Sequence, residues 1–301
     1  MAKMIAKIKI EGVIEKENET YNQKWLLDTI KKLTESKTNS GIILYISSPG
    51  GSVYESDEVY CAIKKYREKT NRPVYAYFAS LAASGGYYIG CSADKIIANR
   101  NSITGSIGVI SGRFVDLSEP MKKYGIKSET IHAGRNKTMG SITEPVTEEQ
   151  RAIMQSLADE CYEQFTSIVA ESRKLDIEKV KELADGRIYS AKQAKENGLV
   201  DEIATFDEAV EIMEEALFGD KEASAEVKSF EVKQKKSLKK LIMGTSAMTS
   251  VFGGQSGSTA TLALDAIGTA ELARVLGVAN TILKPSTVSF PAFLYEGPLH
   301  L

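Results

Sequence analysis

Histidine is nearly absent from this 301-residue chain, which has only His132 and His300. With no His-x-x-His pair, the pattern of a zinc site is missing, and a serine-histidine pairing has few places to form. Cysteine is also scarce. Cys61, Cys91 and Cys161 lie far apart with no Cys-x-x-Cys, so neither a disulfide framework nor a thiolate metal site is signalled. Net charge is only −2, from 38 basic and 40 acidic residues, which excludes the basic footprint of a nucleic-acid surface. No apolar run is long enough to span a bilayer. Nor is there a signal-peptide core: Met1–Ile10 alternates Ile and Lys in the manner of a strand. As written, the chain reads as soluble. Membrane association is expected only through an anchor preceding Met1, and the compartment is left open. No metal or cofactor is expected.

What is present is an ordinary globular composition, 43% hydrophobic and 26% charged, enough for one large domain with an appendage. Ile5–Ile14 reads as a half-buried strand and Ile42–Ile46 as a strand buried on both faces. Tyr21–Ser36 and Val53–Tyr66 have helical spacing, and Pro73–Phe78 is a further strand. Lys95–Ala98, Gly108–Ile110 and Ile126–Ile131 read as strands as well, with a helix closing at Met121–Tyr124. This alternation predicts an α/β fold with crossover connections. From Thr147 onward helices dominate: Glu148–Arg173, Ile177–Leu183, Ser190–Asn197 and Phe206–Phe218, with a short strand at Leu199–Ile203. The catalytic domain is drawn at residues 1–219. Residues 220–301, with a Gly/Ser/Thr-rich stretch at Gly244–Ala260, a modest helix at Thr261–Gly277 and an apolar end, form a partly mobile appendage. Cys61 and Cys91 have apolar neighbours and are expected in the core.

Two glycine-rich turns follow apolar strands: Ser47-Ser48-Pro49-Gly50-Gly51 and Ala82-Ala83-Ser84-Gly85-Gly86. A serine at a strand-to-helix turn exposes its hydroxyl beside free amides, and the glycines let a substrate carbonyl reach the backbone. Together they suggest a nucleophile and an oxyanion site, the tools of acyl transfer. Either turn alone is equally a small-residue helix start or a plain turn. The base is open on composition: His132, at the end of a strand, or a lysine. A lysine, ordinarily near 10.4, must be lowered by burial or cation repulsion before it can accept a proton at neutral pH.

The ordered segments 47–56, 82–89, Ala93-Asp94-Lys95-Ile96, Thr104–Val109, Met154-Gln155-Ser156, Ala184–Tyr189 and Ala191–Asp201 resemble the bacterial signal peptide peptidase A family over residues 5–215. The resemblance implies a Clp-protease/crotonase-like spiral core of β-β-α repeats with C-terminal helices. It also implies a serine endopeptidase that uses a Ser-Lys dyad on apolar, extended peptides such as remnant signal peptides. It makes Ser84 the nucleophile, Lys137 in Ala133-Gly134-Arg135-Asn136-Lys137 the base, and Ser106 the residue orienting the lysine. By analogy with the fold, Gly51 and Gly85 supply the oxyanion amides, with Gly50 as a substitute. Arg135 and Lys127 are candidates for lowering the lysine's pKa, with an exposed position as the alternative for both.

The resemblance further implies a homo-oligomer, in some relatives a dome-shaped ring whose neighbours complete each active site. Relatives are usually anchored in a membrane with the catalytic domain outside the cytoplasm, whereas this chain shows no anchor. Pro291–Glu296 has the apolar character the family favours in substrates, so the tail is a candidate occupant of the groove; the alternative is an ordinary apolar segment packed on a neighbour. The rival functions are three. A crotonase-like acyl-CoA enzyme would need a carboxylate such as Glu55 or Asp57 near the glycines. A non-catalytic scaffold of the same fold has no need of Ser84, Ser106 and Lys137. A Clp-type protease is disfavoured by the missing histidine.

Overall fold

The computed structural model describes residues 3–219 and 224–232 and the backbone of 292–294, all within one compact unit. Gly244–Ala260, the helix expected at Thr261–Gly277, and His300 lie outside the described residues.

The sheet is built from β1 (Met4–Glu11), β2 (Asn39–Ser48) and β4 (Val74–Ala83), paired in parallel in the order β4-β2-β1. β3 (Gly50–Ser52) follows β2 and leads into a helix. The central strands alternate strictly. Ala6, Ile8, Ile10, Ile42, Leu44, Ile46, Ala76 and Phe78 face the larger core, and Ile5, Ile43, Tyr75 and Tyr77 face the smaller one. Both faces are covered, which is why these strands read as near-continuous apolar runs.

Helices α1 (Gln23–Glu35), α2 (Val53–Thr70) and α3 (Gly85–Gly90) lie on the larger-core side, joined by the second half of α5 (Glu148–Arg173). β5 (Lys95–Ala98) pairs with the first half of β4, and β6 (Ile103–Gly105) with its last three residues. β4 therefore forks, and Ser84 stands just past the fork. α4 (Ser118–Lys123), α6 (Ile177–Leu183), β7 (Ile188–Ser190), α7 (Ala191–Glu196) and β8 (Glu202–Ile203) complete the body. α8 (Phe206–Phe218) packs Ala209 and Met213 on the smaller core. β9 (Glu226–Phe230) adds to β1 in parallel, so the sheet continues past Gly219. β10 (Ala292–Leu294) pairs antiparallel with β3.

Three local expectations are corrected. The strand expected at Gly108–Ile110 is instead Ile103–Gly105, because β4 and β7 offer partners there. Ile126–Ile131 forms no strand: no strand among the described residues pairs with it, and Ile131 is 94% exposed. Cys61 is exposed on α2, beside Asp57, whereas Cys91 is buried as expected. The burial that removes Cys91 from water also pushes its thiol up to about 12.

Candidate active site

Ser84 occupies the residue before α3, with φ 53° and ψ −116°. A positive φ costs a β-carbon-bearing residue energy, and such strain persists only where the surroundings enforce it. The enforcing contacts are the Ser84 amide to Gly105 O at 2.8 Å and Tyr88 N to Ser84 O at 2.9 Å. At five other helix starts the capping side chain is used: Asn22, Thr147, Asp176, Ser190 and Thr205 each accept a backbone amide, whereas Ser52 before α2 does not. Ser84 does not cap. Its Oγ is buried and has no hydrogen-bond partner among the described residues. Ser102 and Ser172 also carry buried orphan hydroxyls, so the orphan atom alone is not diagnostic. Ser84 is the one of the three with positive φ.

The two glycine turns meet. A β-carbon placed on Gly85 would lie 2.5 Å from Ser56 Oγ and 3.2 Å from the Gly51 nitrogen. One on Gly51 would lie 1.9 Å from Ile14 O, a contact no side chain survives. Both positions therefore require glycine for close approach of backbones. The amides differ in availability. Gly50 N donates to Ser48 Oγ at 3.1 Å, a local serine turn. That engagement commits the Gly50 amide within its own turn. Gly85 opens α3, where an amide has no intrahelical carbonyl to pair with.

Ser106 stands beside Ser84 across the ladder, since Ala83 pairs with Gly105. It is 7% exposed, has φ 50°, and its amide donates to Arg187 O at 2.7 Å. Ser84, Ser106, Gly51 and Gly85 are thus gathered at one place.

No hydrogen bond joins Lys137 to Ser84, whose hydroxyl has no partner among the described residues. Lys137 is exposed, in a turn where its amide donates to Gly134 O at 3.0 Å. The whole stretch 122–135 is exposed, as is much of the first half of α5. Lys127 is exposed too, and Arg135 is paired with Glu149 at 2.5 Å. His132 is exposed, with Nδ1 3.1 Å from Gly134 O. The carboxylates a crotonase-like reaction would need are committed elsewhere. Glu55 accepts from Ser52 Oγ, and Asp57 accepts from Tyr88 Oη at 2.6 Å and Gln164 Nε2 at 3.2 Å.

The pattern reading missed Ser48. Its buried Oγ donates to Gly12 O at 2.6 Å while accepting from Gly50, and so shapes the first glycine turn. The signal was available, because serine two residues before a glycine amide is a common turn-former.

The model of peptidase family S49 matches residues 66–218 of this chain. An Enterococcus faecium protein, provisionally named signal peptide peptidase SppA, is 40% identical over 217 residues. The match covers 69% of this chain and 62% of the relative, so the chain spans less than two thirds of that protein. The chloroplastic serine protease SPPA of Arabidopsis thaliana is 35% identical over 188 residues, 62% of this chain and 27% of that one. Among solved structures, a ClpP1 mutant from Listeria monocytogenes superposes with a TM-score of 0.43 at 22% identity, covering 67% of this chain and 92% of that one. By the span of the family model and the identity of these relatives, the chain belongs to peptidase family S49.

Proposed function

We propose that this chain is a serine endopeptidase that hydrolyses extended apolar peptides, remnant signal peptides among them, with Ser84 as nucleophile and Lys137 as base. The observation that carries the reading is the buried Ser84 hydroxyl, on a strained backbone and without a hydrogen-bond partner among the described residues, in a turn whose next residue, Gly85, packs against the Gly51 nitrogen. A hydroxyl that neither caps its helix nor bonds a neighbour is free to attack. Neutral Lys137, oriented by Ser106, takes the Ser84 proton as Oγ attacks the peptide carbonyl. The amides of Gly51 and Gly85 hold the oxyanion. The protonated lysine then gives its proton to the leaving amine, and water hydrolyses the acyl-enzyme.

Lys137 comes from a second copy of the chain. Two facts favour this: the Ser84 hydroxyl has no partner among the described residues, and the stretch leading to Lys137 is exposed. Burial against a neighbouring copy would supply the desolvation that a lysine base requires. The exposed apolar side chains Tyr124, Ile126 and Ile131 give such a neighbour something to cover. The assembly is a homo-oligomer, and a closed ring is the arrangement that satisfies every site by the same contact.

Substrate adds as a strand beside β3. The antiparallel pairing of β10, with Phe293 opposite Gly51, is what supports this: the edge next to the oxyanion glycine accepts an extended segment. On this reading the C-terminal tail takes a substrate's path. No helix among the described residues is long and apolar enough to cross a membrane. The test is mass spectrometry of peptides digested by wild type, Ser84→Ala and Lys137→Ala. Cleavage after apolar segments by wild type alone is expected, and undiminished cleavage by either variant would overturn the assignment.

A further inference from the structure

The two residues before Lys137 share one anchor. Arg135 Nη2 lies 2.5 Å from Glu149 Oε1, and Asn136 Nδ2 donates to the same oxygen at 3.1 Å. Around Lys137 itself the remaining backbone hydrogen bonds are short-range turns, and the loop's far end is tied back by Leu117 N to Ile142 O at 2.8 Å. Lys137 N donates to Gly134 O at 3.0 Å, Met139 N to Asn136 O at 3.1 Å, and Ser141 N to Thr138 O at 2.9 Å. Turns of this kind preserve a loop's shape but do not fix where it sits. Glu149, by contrast, belongs to the first turn of α5, whose start is locked by the reciprocal Thr147–Gln150 capping box. A carboxylate in a first turn is also favoured by the helix dipole.

We propose that Glu149 is a positioning residue for the general base, holding the Arg135-Asn136 peptide so that Lys137 is presented from a fixed place. This rests on Lys137 being the base. The ion pair is exposed, 81% on Arg135 and 43% on Glu149, so it contributes little to stability. Its role is location. Displacing a reacting group by an ångström can cost on the order of a hundredfold in rate.

The test uses the full chain, a fluorogenic apolar peptide, and rates normalised to active sites counted by a serine titrant. Glu149→Ala should lower kcat about 30-fold with KM within about twofold and melting temperature within about 2 °C. Glu149→Gln keeps an acceptor for Asn136 and should recover most of that loss. The double variant Asn136→Ala/Glu149→Ala should fall no further than Glu149→Ala, because both remove one anchor. A wild-type kcat in Glu149→Ala, or losses that multiply in the double variant, would overturn the proposal. Lys137→Ala separates the two levels. Full activity there removes the base assignment itself, whereas an inactive Lys137→Ala beside a wild-type Glu149→Ala leaves the base and removes only the anchor.

Discussion

The serine half of the molecule and its lysine half are built on opposite principles. Ser84 and Ser106 sit at the end of a forked strand in a sheet covered on both faces, each held at positive φ by backbone hydrogen bonds. Lys137 sits in a run of turns on an exposed stretch, with Glu149 holding the two residues before it. The first half is organised without help: glycine turns touch, one amide is engaged by Ser48, and its neighbour Gly51 packs against Gly85, the residue after Ser84. The second half has shape without a place. In a Ser-Lys hydrolase the base must meet the hydroxyl, so what the serine half lacks is what the lysine half would bring to another copy.

This contrast sets the expected order of mutational effects. The largest loss of activity should come from Ser84→Ala, on the order of 10⁴-fold or more, with Lys137→Ala close behind. Neither should cost stability, because the Ser84 hydroxyl bonds nothing among the described residues and Lys137 is exposed. Melting temperatures within about 2 °C of wild type would bear that out. Gly51→Ala should damage both properties. Its β-carbon would fall 1.9 Å from Ile14 O, so β3 must shift, costing about 1–3 kcal/mol of stability, and on the proposed mechanism the displaced amide lowers turnover as well. Denaturant unfolding and peptide turnover read the two effects separately.

Asp201→Asn probes the body of the molecule at a distance from the chemistry. Asp201 accepts from Arg173 at 2.9 Å and from Ile96 N at 2.6 Å. Burial pushes its carboxyl up, but the Arg173 and Ile96 hydrogen bonds outweigh that and hold it below the usual range. Its stabilisation is therefore complete above the unfolded carboxyl value, about 3.9, and is lost as pH falls through the lower folded value. The variant should lose about 2 kcal/mol at neutral pH, less than a fully buried pair, because Asp201 keeps 34% side-chain exposure. In urea titrations it should also lose less stability below about pH 4 than wild type, since Asp201 no longer contributes to that loss. The smallest effect belongs to the lysine half. Ile131→Ser, at a side chain 94% exposed, should change the stability of an isolated chain by less than about 0.5 kcal/mol. A loss of assembly from the same variant, read by light scattering, would mark Ile131 as covered by a neighbouring copy.

Legibility in the sequence followed the same divide. α5 matched Glu148–Arg173 residue for residue because Thr147 and Gln150 announce its start. The central strands were legible because both their faces are apolar. β6 was misplaced by a few residues because the choice between Ile103–Gly105 and Gly108–Ile110 rests on which backbone finds a partner, and periodicity does not carry that. β9 was missed because an edge strand with exposed Glu226, Val227, Lys228 and Ser229 has no buried face to advertise it. Ser84, Gly51 and Gly85 stood out by residue type. Lys137 did not, being one of many lysines, and only the family resemblance picked it out. Glu149 could not be found by pattern, since its link to Arg135 and Asn136 exists only once the loop folds back on α5.

The most direct test of the division between the two halves is complementation of two inactive variants. Ser84→Ala supplies only the lysine and Lys137→Ala only the serine. Mixed one to one under conditions shown by mass spectrometry to exchange subunits, they should regain activity, up to about a quarter of wild type for random neighbours. A mixture that exchanges subunits yet stays as inactive as its components would place nucleophile and base in the same copy.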